Sequence, residues 1–408
     1  MYDTFAEELA SLEERGLLRD LTALPETGGE ILVNGKKVLN FSSNDYLGLA
    51  RDQRLKDAAI KAVDRFGCGA TASRLLTGDL TLHEELETDL AGMMGTEAAL
   101  VFGSGFLTNL GVLSTLAGAG DIVFSDRLNH ASLIDGIRLS RARCERYRHK
   151  DMAHLEELLS KKGEAAGLSS MAVNGKRIIV SESVFSMDGD IAPMEELSRL
   201  ARQYRAMLII DEAHAIGVFG LYGGGVSRIS GSNALPDVTI GTMSKALGGY
   251  GGFVACSMPV RKLLINKARS FIYTTGLPPA CLGSAREAVR IVISEPELGK
   301  SLLKKAQRFH SLLTRHGLKM TEFESQILPI IVGDNKTVIR LSGRLWEKGL
   351  LVKPIRPPTV PSGTARVRLS LTLSMTDADL EKAAGAIAKS AEEVGIVLHD
   401  SGNFYSRD

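Results

Sequence analysis

The chain has 408 residues, of which 44% are hydrophobic and 24% are charged, and its 49 basic and 48 acidic residues leave a net charge of +1. This length exceeds the size at which a single hydrophobic core usually stops growing, so we expect two domains. The balanced charge argues against a general nucleic-acid binder, which needs a concentrated basic face to displace counterions.

The cysteines and the apolar runs narrow the class of protein further. Cys68, Cys144, Cys256 and Cys281 are scattered without a C-x-x-C pair, which fits a reduced compartment and offers no zinc or disulfide framework. Met1–Leu18 is acidic and amphipathic and lacks the apolar core of a signal peptide. No run of about 18 apolar residues exists to span a bilayer. We therefore expect a cytoplasmic protein without a membrane or nucleic-acid partner and without a metal site.

The first half of the chain predicts a hairpin followed by alternating strands and helices. Residues 4–18 have helical spacing, and Asn34-Gly35 between two apolar runs is a strong hairpin signal because both residues tolerate positive φ. From about residue 83 to 285 the alternation favours a mainly parallel sheet covered on both faces. The predicted strands are Ala98–Phe102, Ile122–Phe124, Ile178–Glu182, Met207–Ile210, Val238–Ile240 and Gly252–Cys256, and the helices between them include Met152–Lys162 and Met194–Tyr204.

Near residue 285 the pattern changes to that of an α+β unit. A long helical stretch is expected from about Ala285 to His316, interrupted near Pro296. The elements predicted after it are the strand Ile327–Val332, the helix Thr337–Lys348, the strands Leu350–Ile355 and Ala365–Leu371, and the helix Asp377–Val394. We therefore expect an N-terminal helix and hairpin segment (1–45), a large α/β domain with a sheet of the seven-stranded type (46–288), a smaller α+β domain (289–396) and a tail (397–408).

Polar side chains follow two predicted strands of the large domain at the point where each strand ends. One strand leads into Asp211, and the next leads into a hydroxyl-rich turn with Thr242, Ser244 and Lys245. Ligands of a parallel sheet bind at the carboxyl ends of its strands, so Asp211 and Lys245 are expected to face one crevice. Pyridoxal phosphate needs a lysine for its Schiff base and an acid to pair with its pyridinium nitrogen. On these residues alone, a structural Asp–Lys ion pair is the alternative.

A glycine-rich turn follows the strand Ala98–Phe102. It contains Ser104, Gly105 and Phe106 and leads directly into a predicted helix. The N-terminus of a helix offers free N–H donors and a favourable dipole to a phosphate group. We expect this turn to bind the cofactor phosphate, with further hydroxyl donors from Thr242 and Ser244. An ordinary strand-to-helix turn is the alternative.

Seven motifs occur in order along the chain. They are Asn40–Leu49, Ser104–Phe106, Asn129–Ser132, Phe185–Gly189, Asp211–His214, Thr242–Lys245 and Ile355–Pro361. With these motifs the chain resembles the α-oxoamine synthases, a branch of the fold-type-I pyridoxal-phosphate enzymes, over about residues 10–395. The last motif is the most specific, and it is typical of the members that condense L-alanine with a pimeloyl thioester, either pimeloyl-CoA or pimeloyl-acyl carrier protein, in biotin biosynthesis.

The resemblance assigns roles to residues of the predicted crevice. It implies that Lys245 forms the Schiff base and later acts as the base on the amino-acid Cα. Asp211 is implied to keep the ring nitrogen protonated, His214 to reach the 3-hydroxyl group of the ring, and His130 to stack on the ring. Without the resemblance, Asp211 could equally cap a helix, and a histidine at a strand end is more often structural.

Further residues are implied by the same family positions. Glu182 and Ser186 are placed near the cofactor. Thr274 and Thr275 match positions that reach the phosphate from the neighbouring subunit, which implies a homodimer with shared active sites.

Substrate contacts are also implied by the resemblance. Arg368 matches the residue that holds the amino-acid carboxylate, a role that suits the two-pronged donor geometry of arginine. Asn44 is placed at the site entrance, and Arg356 and Thr359 line the acyl channel. Arg19 is a weaker match to a substrate-contacting arginine, and an ordinary surface arginine is the alternative.

Three other functions are compatible with parts of this pattern. A sibling enzyme that uses glycine and acetyl-CoA is disfavoured by the proline-rich run Pro357–Pro361. The second is a pyridoxal-phosphate aminotransferase or lyase; many aminotransferases carry an arginine several residues after the lysine, and Ala246–Gly252 contains none. A non-catalytic protein on this fold is disfavoured because Asp211, His214 and Lys245 are all present. One departure from the family pattern, Leu373-Ser374-Met375, leaves the fine shape of the substrate pocket open.

Overall fold

The computed structural model describes residues 2–164, 175–229 and 235–398, which fall into two compact units. The small unit comprises Met1–Gly48, Met187–Asp190 and Ser301–Asp408, and the large unit comprises Leu49–Ser186 and Ile191–Lys300. Among the described residues, no helix has the length and apolar character needed to cross a membrane.

The N-terminal part of the small unit is a helix followed by a hairpin. The helix α1 spans Tyr2–Glu14. Strands β1 (Glu30–Val33) and β2 (Lys36–Asn40) pair in antiparallel orientation. The turn residues Asn34 and Gly35 have φ angles of 50° and 74°, so the hairpin predicted from the Asn-Gly pair is confirmed.

The large unit is built on a seven-stranded sheet. Its strands in chain order are β3 (Ala98–Phe102), β4 (Ile122–Asp126), β5 (Arg143–Tyr147), β6 (Arg177–Glu182), β7 (Met207–Asp211), β8 (Val238–Thr242) and β9 (Gly252–Cys256). Their order across the sheet is β3-β9-β8-β7-β6-β4-β5. Strand β9 runs antiparallel to both of its neighbours, and the other pairs are parallel, so the predicted mainly parallel sheet is confirmed.

The helices of the large unit pack against this sheet or against one another. They are α2 (Gln53–Phe66), α3 (Thr81–Met94), α4 (Gly105–Leu116), α5 (Ala131–Ser140), α6 (Met152–Glu164), α7 (Met194–Gln203), α8 (Met258–Lys267), α9 (Arg269–Ile272) and α10 (Pro279–Ser294). Short 3₁₀ turns occur at Leu49–Arg51, Leu221–Gly223 and Val226–Arg228. The main core packs apolar strand residues such as Ile178 and Ile209 against Val112 of α4, Ile137 of α5 and Leu264 of α8.

The C-terminal part of the small unit is α+β. Its elements are α11 (Glu297–Arg315), β10 (Ile327–Gly333), α12 (Asn335–Glu347), β11 (Leu350–Leu351), β12 (Pro354–Ile355), β13 (Ala365–Ser370) and α13 (Asp377–Glu393). The first residues of α11, up to Lys300, fall in the large unit. Strands β10, β13 and β12 form one antiparallel sheet, while β11 joins the N-terminal hairpin by pairing in parallel with β2. The predicted interruption near Pro296 is confirmed, because α10 ends at Ser294 and α11 begins at Glu297.

The units differ from the predicted domains at three places, one of which is Met187–Asp190, a short stretch of the predicted large domain that belongs to the small unit. The expected boundary at 288/289 falls inside α10, which packs against α2 and α3 and therefore belongs to the large unit. The N-terminal segment is not separate, because its hairpin shares a sheet with β11 of the C-terminal part. Of the predicted tail, residues 399–408 lie outside the described part of the chain.

Candidate active site

A cavity of about 250 Å³ lies in the large unit at the carboxyl ends of the parallel strands. It is lined by Ser104, Gly105, Phe106, Asn109, His130, Ser132, Glu182, Asp211, Ala213, His214, Ile240, Gly241, Thr242, Ser244 and Lys245. The strands β6, β7 and β8 end at Glu182, Asp211 and Thr242, so the sheet itself brings these side chains to one edge. Residues from both predicted parts of the site, the Asp–Lys pair and the glycine-rich turn, therefore line this one cavity.

Asp211 is held in place by two hydrogen bonds. Its Oδ2 accepts from Nδ2 of Asn109 at 2.8 Å, and its Oδ1 accepts from the backbone N–H of Ala213 at 2.9 Å. The Nδ2 group of Asn109 also donates to Oγ of Ser132 at 2.8 Å. Asp211 is buried, and these donors fix the direction in which its carboxylate points.

Asn109 and Ser132 were not predicted as site residues. Asn109 lies inside α4, four residues after Gly105, so the helical repeat places it on the same face as the glycine-rich turn. An asparagine among mostly apolar residues of a predicted helix was the signal available in the sequence.

Glu182 lies beside Asp211, because these two residues are register partners in the pair β6–β7. Its Oε1 accepts from the backbone N–H of His130 at 2.6 Å, and its Oε2 accepts from that of Ser186 at 3.2 Å. Burial, together with the negative charge of Asp211, raises the pKa of Glu182 to about 8. Near neutral pH this carboxyl group is therefore mostly protonated. Ser186 does not line the cavity itself but is tied to its wall through Glu182.

His130 is the N-cap of α5 and lines the cavity. Its Nδ1 shares a hydrogen bond with Oγ of Ser132 at 2.7 Å. Although the residue keeps an exposed surface, the surrounding protein desolvates the ring and lowers the pKa of His130, while Asp211 opposes this shift. A neutral imidazole is therefore presented to the cavity.

The glycine-rich turn approaches two neighbouring segments closely. Oγ of Ser104 caps α4 by accepting from the N–H of Leu107 at 3.2 Å. A Cβ atom on Gly105 would lie 3.4 Å from Thr242, and one on Gly252 would lie 2.5 Å from the backbone nitrogen of Gly105. The first turn of α4 therefore faces the cavity without a side chain at Gly105, and its N–H groups point outward as expected for a helix N-terminus.

These residues fit pyridoxal phosphate. The N-terminus of α4 and the hydroxyl groups of Thr242 and Ser244 suit a phosphate group. The buried, oriented carboxylate of Asp211 suits a cationic ring nitrogen, and Lys245 supplies an amine on the wall of the same cavity.

Thr274 and Thr275 lie elsewhere in the large unit. They line a second, much smaller cavity together with Arg74 and His83, and Thr275 forms an antiparallel bridge with Ser73. Neither threonine lines the cavity that contains Lys245 in the same chain.

The predicted substrate residues lie in the small unit, where they form two groups. In the first, Arg368 on β13 is buried and its Nη2 donates to Oδ1 of Asn44 and, at 3.0 Å, to Oγ of Ser370. Arg368 and Asn44 are thus in direct contact.

The second group surrounds the segment after β12. Nη1 of Arg356 donates to the carbonyl oxygen of Gly16 at 2.6 Å, and Nη2 of Arg19 donates to that of Pro357 at 3.0 Å. The N–H of Thr359 donates to the carbonyl oxygen of Arg356 at 3.1 Å. Arg19, Arg356 and Thr359 are therefore neighbours.

Comparison with known proteins identifies the family. The model of the family aminotransferase class I and II matches residues 36–387. An 8-amino-7-oxononanoate synthase of Lysinibacillus sphaericus is 45% identical over 97% of this chain and 100% of its own length. A second, from Geobacter sulfurreducens, is 46% identical over 97% of this chain and 100% of its own length. The chain belongs to the 8-amino-7-oxononanoate synthases. The resemblance predicted from the seven motifs is therefore confirmed.

A solved structure that contains pyridoxal phosphate has the same fold as this protein. Serine palmitoyltransferase from S. paucimobilis, with a bound PLP–myriocin aldimine, matches with a TM-score of 0.88 and 30% identity over 97% of this chain and 98% of that chain. The protein has the fold-type-I architecture of the pyridoxal-phosphate-dependent transferases. It is a pyridoxal-phosphate-dependent acyltransferase, as predicted.

Proposed function

We propose that the protein condenses L-alanine with a pimeloyl thioester and releases CO₂ and the free thiol carrier, giving 8-amino-7-oxononanoate for biotin biosynthesis. The observation that supports this most directly is the cavity with Asp211, His130 and Lys245 in a chain that is 45–46% identical over its whole length to synthases of that name. Serine and a palmitoyl thioester are the alternative substrates, because serine palmitoyltransferase is 30% identical to this chain. A solved 8-amino-7-oxononanoate synthase of Francisella tularensis is also 30% identical, so the preference for alanine rests on the relatives at 45–46% identity.

The proposed chemistry is divided between Asp211 and Lys245. Pyridoxal phosphate, when bound, supplies the electron sink for the carbon that attacks the thioester and later loses CO₂. Asp211 holds a proton at the ring nitrogen, and its bonds to Asn109 and Ala213 keep the carboxylate pointed at that atom. Lys245 carries the cofactor between turnovers, removes the Cα proton of alanine and returns a proton to that carbon at the end.

The remaining cavity residues bind and orient the cofactor. The first turn of α4 at Ser104, Gly105 and Phe106, with the hydroxyl groups of Thr242 and Ser244, holds the phosphate. His130 stacks on the ring as a neutral imidazole and is positioned by Glu182, which accepts a hydrogen bond from its backbone N–H.

His214 contacts the 3-hydroxyl group of the ring in this proposal. Ser186 completes the wall through its hydrogen bond to Glu182.

The small unit supplies the substrate contacts. Arg368 binds the carboxylate of alanine, and its fixed orientation beside Asn44 and Ser370 supports this role. Asn44 stands at the entrance, Arg356 and Thr359 line the acyl channel, and Arg19 contacts the substrate.

We also propose a homodimer with shared active sites. Thr274 and Thr275 do not line the cavity of Lys245 in their own chain, and the side chain next to them, Tyr273, is 72% exposed. Both observations suit a segment that reaches into the cavity of a second copy, where the two hydroxyl groups would add donors to the phosphate.

The test is an acyl-donor assay that monitors thiol release and product mass. Alanine or glycine is combined with pimeloyl-CoA or acetyl-CoA, and serine with palmitoyl-CoA is a further arm. We expect thiol release and a product of the mass of 8-amino-7-oxononanoate with alanine and pimeloyl-CoA. Turnover with glycine and acetyl-CoA alone would overturn the proposal in favour of the sibling activity. Lys245→Ala is the inactive control, and borohydride reduction of the wild type should fix the cofactor to Lys245.

A further inference from the structure

Basic residues surround the free edge of the large sheet. Residues 138–150 contain six arginines or lysines and one acidic residue, Glu145, a net charge of +5, whereas the whole chain has +1. The six, here called the basic edge, are Arg138, Arg141, Arg143, Arg146, Arg148 and Lys150. None of the six lines the catalytic cavity, so the proposed reaction does not account for this concentration of positive charge.

The five arginines of the basic edge are exposed, and Lys150 is half-buried. Strand β5 is the terminal strand of the sheet, and Arg143 and Arg146 lie on its opposite faces because side chains alternate along a strand. The side chains of Arg138, Arg143 and Arg148 are 72%, 66% and 62% exposed. Their ion pairs with Asp135, Glu145 and Asp151 are surface pairs, which are weak and easily exchanged for a partner's carboxylates.

Two ordinary explanations account for only part of this set. Charged side chains on an edge strand prevent unwanted pairing with another sheet, which explains Arg143 and Arg146. Arg138 lies in the last turn of α5, where a positive charge favours the helix dipole. Neither reason applies to Arg148 and Lys150, which follow β5 at the edge of the sheet where the cavity lies.

The basic edge adjoins the wall of the catalytic cavity. From the end of β5 it is two strand spacings to Glu182 on β6 and three to Asp211 on β7, or about 10 and 14 Å. His149 connects the two regions. Its Nδ1 lies 2.9 Å from Oδ1 of Asp126, and its ring meets that of Phe185 edge-on at 4.4 Å. Phe185 is followed by Ser186, which is hydrogen-bonded to Glu182.

We propose that the basic edge is the docking surface for an acidic acyl carrier protein that delivers the acyl thioester; this rests on the proposed function. The charges extend along five residues of strand, or about 16 Å, and continue around both faces of the sheet edge. That spread matches the acidic face of a folded protein. The phosphates of a single coenzyme A would instead call for one compact arginine fork. Complementary charge at such a distance from the cavity steers the carrier and leaves its thioester arm to reach inward.

The experiment compares two forms of the same acyl group. The kcat/KM values for pimeloyl-acyl carrier protein and pimeloyl-CoA are measured at low salt for the wild type and for Arg143→Glu/Arg146→Glu. We expect the variant to lose about 10- to 100-fold with the carrier protein and less than about twofold with pimeloyl-CoA. Arg340→Glu/Arg344→Glu on α12 is the matched control, since Arg344 is also exposed and paired with an acid, Glu347. A loss that is equal for both substrates, or equal in the control, overturns the proposal.

A binding measurement separates this proposal from the proposed function. Fluorescence anisotropy of labelled holo acyl carrier protein needs no turnover. If the wild type binds it and Arg143→Glu/Arg146→Glu does not, the docking surface stands even where no thioester is condensed with alanine, and only the proposed reaction fails. If the enzyme condenses pimeloyl-CoA but the carrier protein binds neither the wild type nor the variant, the docking surface is refuted. Equal affinity of the carrier protein for the wild type and the variant refutes it as well.

Discussion

At the scale of single residues, the orientation of Asp211 depends on Asn109. We expect Asn109→Ala to lower kcat by about 10- to 100-fold, because a hydrogen bond to a charged group contributes about 1.5–3 kcal/mol. The affinity for pyridoxal phosphate should change much less, since the phosphate contacts remain. Steady-state kinetics and a cofactor titration measure the two effects separately.

Ser132→Ala is the matched control for this prediction. It removes the other acceptor of Asn109 Nδ2 and the hydroxyl partner of His130 Nδ1, but the backbone N–H of Ser132 still donates to that Nδ1 and the Asn109–Asp211 bond remains. Its kcat should therefore fall less than that of Asn109→Ala. If Asn109→Ala were as active as Ser132→Ala, Asp211 would not need this donor.

Glu182 makes the free energy of unfolding of the large unit depend on pH. Burial and the charge of Asp211 raise the pKa of Glu182 to about 8 in the folded protein, from 4.5. A raised pKa means that the folded state holds the proton more tightly, so this group's stabilisation is complete below pH 4.5 and is lost as the pH rises through about 8. Glu182→Gln mimics the protonated form and should remove this loss, which is on the order of a few kcal/mol.

Urea unfolding of the cofactor-free protein at pH 5 and pH 9 measures the effect of Glu182. The midpoint of the wild type should fall over this interval relative to that of Glu182→Gln. Glu84→Gln, at an exposed position of α3, should follow the wild type. If the urea midpoints of wild type and Glu182→Gln change equally between pH 5 and pH 9, the pKa of Glu182 is not raised in the folded protein.

At the scale of elements, the start of α4 is packed against the start of β9. A Cβ atom at Gly252 would lie 2.5 Å from the backbone nitrogen of Gly105 and 2.4 Å from Oγ1 of Thr108. Gly252→Ala should therefore displace the first turn of α4, weaken binding of pyridoxal phosphate at least about tenfold, and lower the free energy of unfolding by about 1–3 kcal/mol. Equilibrium dialysis and denaturant unfolding measure these changes.

Gly92→Ala on α3 is the control for Gly252→Ala. No atom lies within 4 Å of a Cβ at Gly92, so alanine there should stabilise the helix by up to about 1 kcal/mol and leave cofactor binding unchanged. Unaltered cofactor affinity in Gly252→Ala would mean that the turn at Gly105 does not hold the phosphate.

The sequence predicted the elements with apolar runs and missed those without them. The buried strands β3 and β9 were placed to the residue, because both are continuous apolar segments. Strand β5, with the sequence RCERY, was missed because an edge strand need not be apolar, and its pairing with β4 is what forms it. The reversed direction of β9 was likewise not predictable, since apolar pattern carries no information on strand direction.

The site residues divide in the same way. Asp211 and Lys245 were predicted because strand ends converge at one edge, a rule that depends only on local sequence. Asn109 was missed because its role depends on the contact between α4 and β7, which are far apart in the chain.

At the scale of the whole molecule, the N-terminal segment joins the C-terminal part in one unit. Strand β11 pairs with β2, so residues separated by more than 300 positions form one sheet. The sequence predicted one strand over Leu350–Ile355, whereas the structure divides it into β11 and β12, which lie in different sheets. Which strand each of them pairs with could not be predicted from local signals. The assignment of the first 45 residues to a separate segment missed this long-range pairing.

The proposed homodimer predicts a specific gain of activity when two inactive variants are combined. Lys245→Ala lacks the catalytic amine, and Thr275→Asp places a negative charge where a second copy's cofactor phosphate would bind, so each protein alone should be inactive. In a 1:1 mixture that exchanges subunits, half of the dimers are hybrids, and each hybrid has one intact site out of two, so about a quarter of the wild-type activity should return. If Thr275 served the cavity of its own chain, both sites of every hybrid would be defective and no activity would return. Mixing Lys245→Ala with Asp211→Asn is the control, because both changes lie in the same cavity and leave the partner's Thr275 intact, so hybrids should recover nothing beyond the residual activity of Asp211→Asn.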